Sequence, residues 1–170
     1  MTRQLVYLDT NIFSRVTDLR MSAETAEAYR RLADVPNFTF VTSAKTKQEM
    51  ERTPNEARAS ALLSLYDIFS KVPWVVAERS GSFNSVGFNV CAFNSSWVHP
   101  TLRALRTTFD ADDADHIFQA AQAGCHYFLT LDDKTILSRV RDNRPLVESL
   151  CPQLKFCSPV ELIAELAPDA

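Results

Sequence analysis

The chain has 170 residues, 46% of them hydrophobic and 23% charged, which suits one globular domain with a real core and excludes a disordered or low-complexity chain. Its formal net charge of -3 argues against a polyanion binder that works through a basic surface alone. There is no run of about 18 apolar residues and no signal-peptide pattern in the opening MTRQLVYLDTNIF, so the expectation is a cytoplasmic protein without a membrane span. Cys91, Cys125, Cys151 and Cys157 have no CxxC spacing and read as small buried apolar residues of a reducing compartment.

The β-rich run Gln4–Leu8 predicts a strand that stops at Asp9-Thr10-Asn11, three residues that favour turns and helix caps. Helices are predicted over Ile12–Asp18 and Ala23–Ala33, a strand over Asn37–Val41, and a helix capped by Thr42 or Ser43 that ends at Glu51. Pro54 is placed in the first turn of the next helix, which runs to about Ser70 with Ala61, Leu62, Leu65, Ile68 and Phe69 facing inward. Pro73–Ala77 is a candidate short strand. Residues 80–99 contain no Asp, Glu, Lys or Arg but carry Phe83, Phe88, Phe93 and Trp97. A folded-down loop or a protein contact patch accounts for that stretch, and stacking of unpaired bases is the alternative.

After it a helix is predicted over Pro100–Thr107, then an acidic helix over Asp112–Ala123 with Gly124 as its left-handed stop. Tyr127–Leu131 reads as a buried strand, Asp133–Arg141 as a short helix, and Leu154–Cys157 as a last strand before a closing helix capped at Ser158-Pro159. Strands alternating with helices predict an α/β fold: one domain over residues 1–170, with a central parallel sheet of about four to five strands between two helical layers and an insertion near 80–99. Ligands of such sheets bind beyond the carboxyl ends of the strands.

Two strands end on acids, QLVYL at Asp9 and YFLTL at Asp132. Between Phe109 and Gly124 four aspartates occupy six positions, more than a helix start needs. Asp113 aligns with Ile117, Ala120 and Ala121 on the inward stripe, whereas Asp112 aligns with His116 and Gln119 on the polar face. Asp112 is therefore read as the N-cap, Asp115 as making capping-box contacts, and Asp110 as part of the preceding turn. His116 is placed on the solvent side, and neither it nor His99 or His126 is assigned to catalysis.

LDTN at 8–11, SAKTKQEME at 43–51 with its Glu49, and DADHIFQAAQAGCHYFLTLD at 113–132 resemble, in order, the motifs of the PIN-domain metal-dependent ribonucleases, which include VapC-type toxins. The resemblance implies a PIN-like three-layer α/β/α fold and a cluster of Asp9, Glu49, Asp113 and Asp132 that binds one or two Mg²⁺ or Mn²⁺ ions for RNA hydrolysis. It makes Asn11 and Thr130 supporting residues. RNA is the implied substrate; the resemblance leaves open whether the chain is a toxin with a cognate antitoxin protein, and whether it forms a homodimer.

Each residue has a plainer alternative. Asp9 could cap the following helix, Glu49 could be a solvated position facing Lys45, and Asp132 or Asp133 could cap the helix after the strand. Lys45, Lys47 and Arg52 on one side, and Arg103, Arg106, Arg139, Arg141 and Arg144 on the other, are candidate substrate contacts, with ordinary surface charge as the alternative. A phosphatase of the haloacid dehalogenase type needs a second aspartate two residues after the first, where Asn11 stands.

Overall fold

A computed structural model describes residues 3–72, 78–79 and 97–166. The strands are β1 (Gln4–Leu8), β2 (Phe38–Ser43), β3 (Ser70–Val72), β4 (Glu78–Arg79), β5 (Trp97–Val98), β6 (Tyr127–Leu129) and β7 (Lys155–Cys157). The helices are α1 (Thr10–Thr17), α2 (Ala23–Ala33), α3 (Ala44–Glu51), α4 (Glu56–Tyr66), α5 (Pro100–Leu105), α6 (Ala111–Gln122), α7 (Ser138–Asp142), α8 (Arg144–Leu150) and α9 (Pro159–Leu166), with a π-helical turn over Asp133–Leu137 leading into α7.

Five strands form the central sheet in the order β3-β2-β1-β6-β7, and every pairing is parallel. Parallel strands require crossovers, and the helices that make them cover both faces. Alternation along β1 shows the result: Tyr7 packs with Leu102, Ile117, Phe118 and Phe128 on one face. Val6 and Leu8 pack with Ile12, Phe13, Leu32 and Leu162 on the other. The fold is thus a three-layer α/β/α sandwich. The chain builds β1, β2 and β3 outward on one side and then returns to add β6 and β7 on the other. The strand order therefore reverses between β1 and β6, the point at which open α/β sheets place their ligand crevices.

Several expected boundaries shift. Asn55 caps α4 by accepting from the Arg58 amide at 2.9 Å, so Pro54 lies outside the helix. The helix ends at Tyr66, which leaves Ile68 74% exposed instead of facing inward. The expected strand at 73–77 lies outside the described residues, as does residues 80–96 of the aromatic segment; β5 pairs antiparallel with β4.

Helix α6 starts one residue early because buried Phe109 anchors the chain just before it, and Asp110 then caps it, accepting from the Asp113 amide at 2.9 Å. Asp112 is not the cap, and Asp115 makes no capping box. The stop at Gly124 (φ 70°) is as expected, with the Gly124 and Cys125 amides bonded to Ala121 and Ala120 carbonyls. A capping box does form at α9, where Ser158 and Glu161 exchange side-chain-to-amide bonds of 2.7 and 3.2 Å. Cys125, Cys151 and Cys157 are buried free thiols whose pKa values burial pushes up to about 12, 11 and 12, which fits an apolar role, and Cys91 lies outside the described residues.

Candidate active site

A cleft of about 620 Å³ opens at the carboxyl ends of β1 and β6, and Asp9, Glu49, Asp113 and Asp132 all line it. The chain brings them there from four elements: the exit of β1, the last turn of α3, the first turn of α6 and the exit of β6.

Asp9 is 5% exposed. It precedes α1, yet its side chain makes no cap bond; instead its Oδ2 accepts from Asn11 Nδ2 at 2.6 Å and from Thr130 Oγ1 at 2.7 Å. Asn11 Nδ2 also donates to Thr130 Oγ1 at 2.7 Å, while Asn11 Oδ1 accepts from the Leu131 amide at 3.0 Å. The carboxylate is therefore locked in one orientation by two residues that the sequence places 119 positions apart. Burial raises its pKa, opposed by the His116 charge and the Thr130 bond.

Asp113 faces the cleft from the inward stripe of α6. Burial, followed by the charges of Asp110, Asp9 and Asp132, raises its pKa to about 7. Asp132 accepts from the Thr135 amide at 2.7 Å, so it both lines the cleft and caps the π-helical turn. Burial works to raise its pKa, but the bonds from Thr135 and neighbouring amides prevail and hold it low. Asp133 is not that cap: it pairs with Arg141 at 2.6 Å on the surface.

His116 is the main correction. It is 2% exposed, not on the solvent side, because α3 packs over the face of α6 that carries it. Its Nε2 lies 2.9 Å from Glu49 Oε1 and its Nδ1 lies 2.8 Å from Tyr7 Oη, which is 2.6 Å from Ser43 Oγ. Burial lowers the His116 pKa, but the bond and charge of Glu49, with the charge of Asp9, more than offset that and leave it raised. Glu49 is held low: burial opposes its ionisation, and the His116 bond and charge prevail. The spacing offered no signal for this, since it aligns His116 with Asp112 and Gln119 on the polar face of α6, and the packing of α3 over that face buries it.

Of the basic residues expected at the substrate, most are paired within the protein. Lys45 is 5% exposed and bonds Asp112 and, at 3.4 Å, Asp115. Arg106 joins Asp115 at 3.0 Å, and Arg144 joins Glu148 at 2.6 Å. Arg139 donates to the Thr108 carbonyl. Among the described residues, the Lys and Arg side chains that do line the cleft are Arg15 and Arg20, which the sequence did not single out.

Four carboxylates are hard oxygen donors, a set suited to Mg²⁺ or Mn²⁺. Among the described residues, no three His, Cys, Asp or Glu side chains stand close enough around one point to hold an ion as they are oriented. The acids share a cleft without converging on a common centre. Among the described residues no helix is long and apolar enough to cross a membrane. Neither family models nor curated proteins nor solved structures give a match to this chain.

Proposed function

We propose that the chain is a divalent-metal-dependent endoribonuclease of the PIN-domain kind its motifs resemble, hydrolysing phosphodiester bonds in single-stranded or looped RNA. One observation carries this reading: four carboxylates from four elements line a single cleft at the switch point of a parallel sheet, and burial, with the charges of Asp110, Asp9 and Asp132 added to it, raises the Asp113 pKa to about 7. Carboxylates crowded against their own charge favour a cation. Asp9, Glu49, Asp113 and Asp132 would hold it. Bound there, Mg²⁺ or Mn²⁺ supplies charge neutralisation at the phosphate and a lowered pKa for an attacking water.

The protein's own residues do the rest. Asn11 and Thr130 hold Asp9 in a fixed rotamer, which avoids the entropy of ordering it on binding. His116 holds Glu49 against the wall of the cleft. The site is set into the edge of the sheet, where a rigid scaffold keeps these groups in register. A cytoplasmic location, and an antitoxin or a second copy as partner, belong to the same proposal.

Purified protein incubated with mixed-sequence single-stranded RNA should cleave it in Mg²⁺ or Mn²⁺, leave 3′-hydroxyl and 5′-phosphate ends, and stop on addition of EDTA. Cleavage that survives exhaustive chelation overturns the reading. A second reading, a catalytically silent RNA-binding module, is favoured by the absence of a converged ligand set among the described residues. RNA binding without cleavage in either ion would support it.

A further inference from the structure

Helix α1 ends in an unusual way. The Leu19 amide bonds the Val16 carbonyl at 3.2 Å and the Arg20 amide bonds the Arg15 carbonyl at 3.0 Å, the two bonds of a Schellman motif. The residue at its left-handed position is normally glycine, as Gly124 is at the end of α6, but here it is Leu19 with φ 54°. The Leu19 side chain is 91% exposed, so packing does not compensate for the backbone conformation. What the motif does achieve is to fold the chain back so that Arg20 is bonded through its backbone to Arg15.

Both line the carboxylate cleft, from the wall formed by α1. Asp18, the acid between them in sequence, is occupied by Arg58 through bonds of 2.7 and 3.0 Å. Among the described residues neither Arg15 nor Arg20 forms an ion pair. Arg15 and Arg20 thus put positive charge on one wall, where the Asp18 beside them is paired with Arg58, while Asp9, Glu49, Asp110, Asp112, Asp113 and Asp132 line the rest of the cleft. A mononucleotide has one phosphate, and the reaction requires it at the carboxylates. A strand offers a second phosphate to the wall, and arginine suits it, because its planar fork matches phosphate oxygens.

We infer that Arg15 and Arg20 form a phosphate-binding wall that grips the phosphodiester next to the one at the carboxylates, so that the cleft takes a polynucleotide strand and not a mononucleotide. The inference rests on the ribonuclease reading for its substrate class. Strain in the Leu19 turn is a local cost that holds the pair preformed.

The test measures binding of a fluorescein-labelled 12-nucleotide single-stranded RNA to the full chain in Ca²⁺ buffer across about 50 to 200 mM salt, with uridine 5′-monophosphate as the second probe. Arg15→Gln and Arg20→Gln should each lower the slope of log affinity against log salt by about 0.7, and the double variant by about 1.4, with mononucleotide affinity unchanged. Arg15→Lys with Arg20→Lys should restore the slope. A double Gln variant that keeps the parent slope overturns the inference, and if its melting temperature falls at the same time, the pair only balances the α1 dipole. An equal loss of mononucleotide affinity also overturns it. Parent protein that cleaves RNA while the slope is unmoved leaves the ribonuclease reading standing alone. A reduced slope in a protein that never cleaves keeps the wall and removes the nuclease.

Discussion

Glu49 and His116 face each other across α3 and α6, with Nε2 2.9 Å from Oε1, and the bond has the same sense whichever charge His116 carries. Glu49 is held ionised, so Nε2 must bear the proton. Neutral imidazole then accepts from Tyr7 through Nδ1, and imidazolium donates to it; Ser43 adjusts in either case.

His116→Gln keeps a donor for Glu49, whereas His116→Leu removes it and leaves a buried acceptor unsatisfied. Urea unfolding at pH 7 should show a loss of about 1 to 3 kcal/mol for Leu and clearly less for Gln. The raised His116 pKa means that its contribution is fully present below the ordinary value of 6.5 and fades as pH rises through the folded value. The depressed Glu49 pKa means that its contribution is present above 4.5 and fades as pH falls through the folded value. Equal losses in both variants would show that His116 acts by its bulk.

Asp113 runs in the opposite sense to a stabilising carboxylate. With its pKa raised from 3.8 to about 7, the folded state holds the proton more tightly than the unfolded chain, so stability falls as pH rises between those values. Asp113→Asn should therefore stabilise the ion-free protein at pH 8 by roughly 2 kcal/mol, allowing for solvent screening of a half-buried group, and leave it unchanged below pH 4. The same variant should abolish RNA cleavage. Asp115→Asn should retain it, because Asp115 bonds Lys45 and Arg106 away from the other acids. An active Asp113→Asn would remove this residue from the proposed site.

Asn11 and Thr130 meet on one Asp9 oxygen and on each other. Asn11→Ala and Thr130→Val should each cost about 1 to 2 kcal/mol, and the double variant should cost less than the sum by at least about 0.5 kcal/mol. Chemical denaturation of the four proteins gives the cycle. Strict additivity would mean that the three groups do not act as a unit.

Leu19→Gly offers a sign test of backbone strain. Removing a side chain from the left-handed position relieves about 1 to 2 kcal/mol, and the greater freedom of unfolded glycine takes back about half, so thermal unfolding should shift upward. A downward shift would show that the exposed leucine makes a contact worth more than the strain.

The order of the elements was legible in the sequence because it is written in short-range patterns. QLVYL and YFLTL are runs whose alternation, Val6 and Leu8 against Tyr7, matches the two faces they bury. The stripe through Asp113, Ile117 and Ala120 has a helical period, and Gly124 marks the stop that only glycine fills without strain. Those patterns were enough to bring Asp9, Asp113 and Asp132 to one edge of one sheet. Periodicity reports only which side of an element faces its first neighbour, so α6 read as half solvated, and the packing of α3 over its other side buried His116 instead. Where a charge finds its partner is likewise decided through space: Lys45 joins Asp112 across 67 residues, and Thr130 joins Asp9 across 121. No local pattern encodes such separations. The left-handed Leu19 and the arginines it brings together were hidden for the complementary reason, since local propensity asks for glycine there and the chain closes the turn with leucine against it.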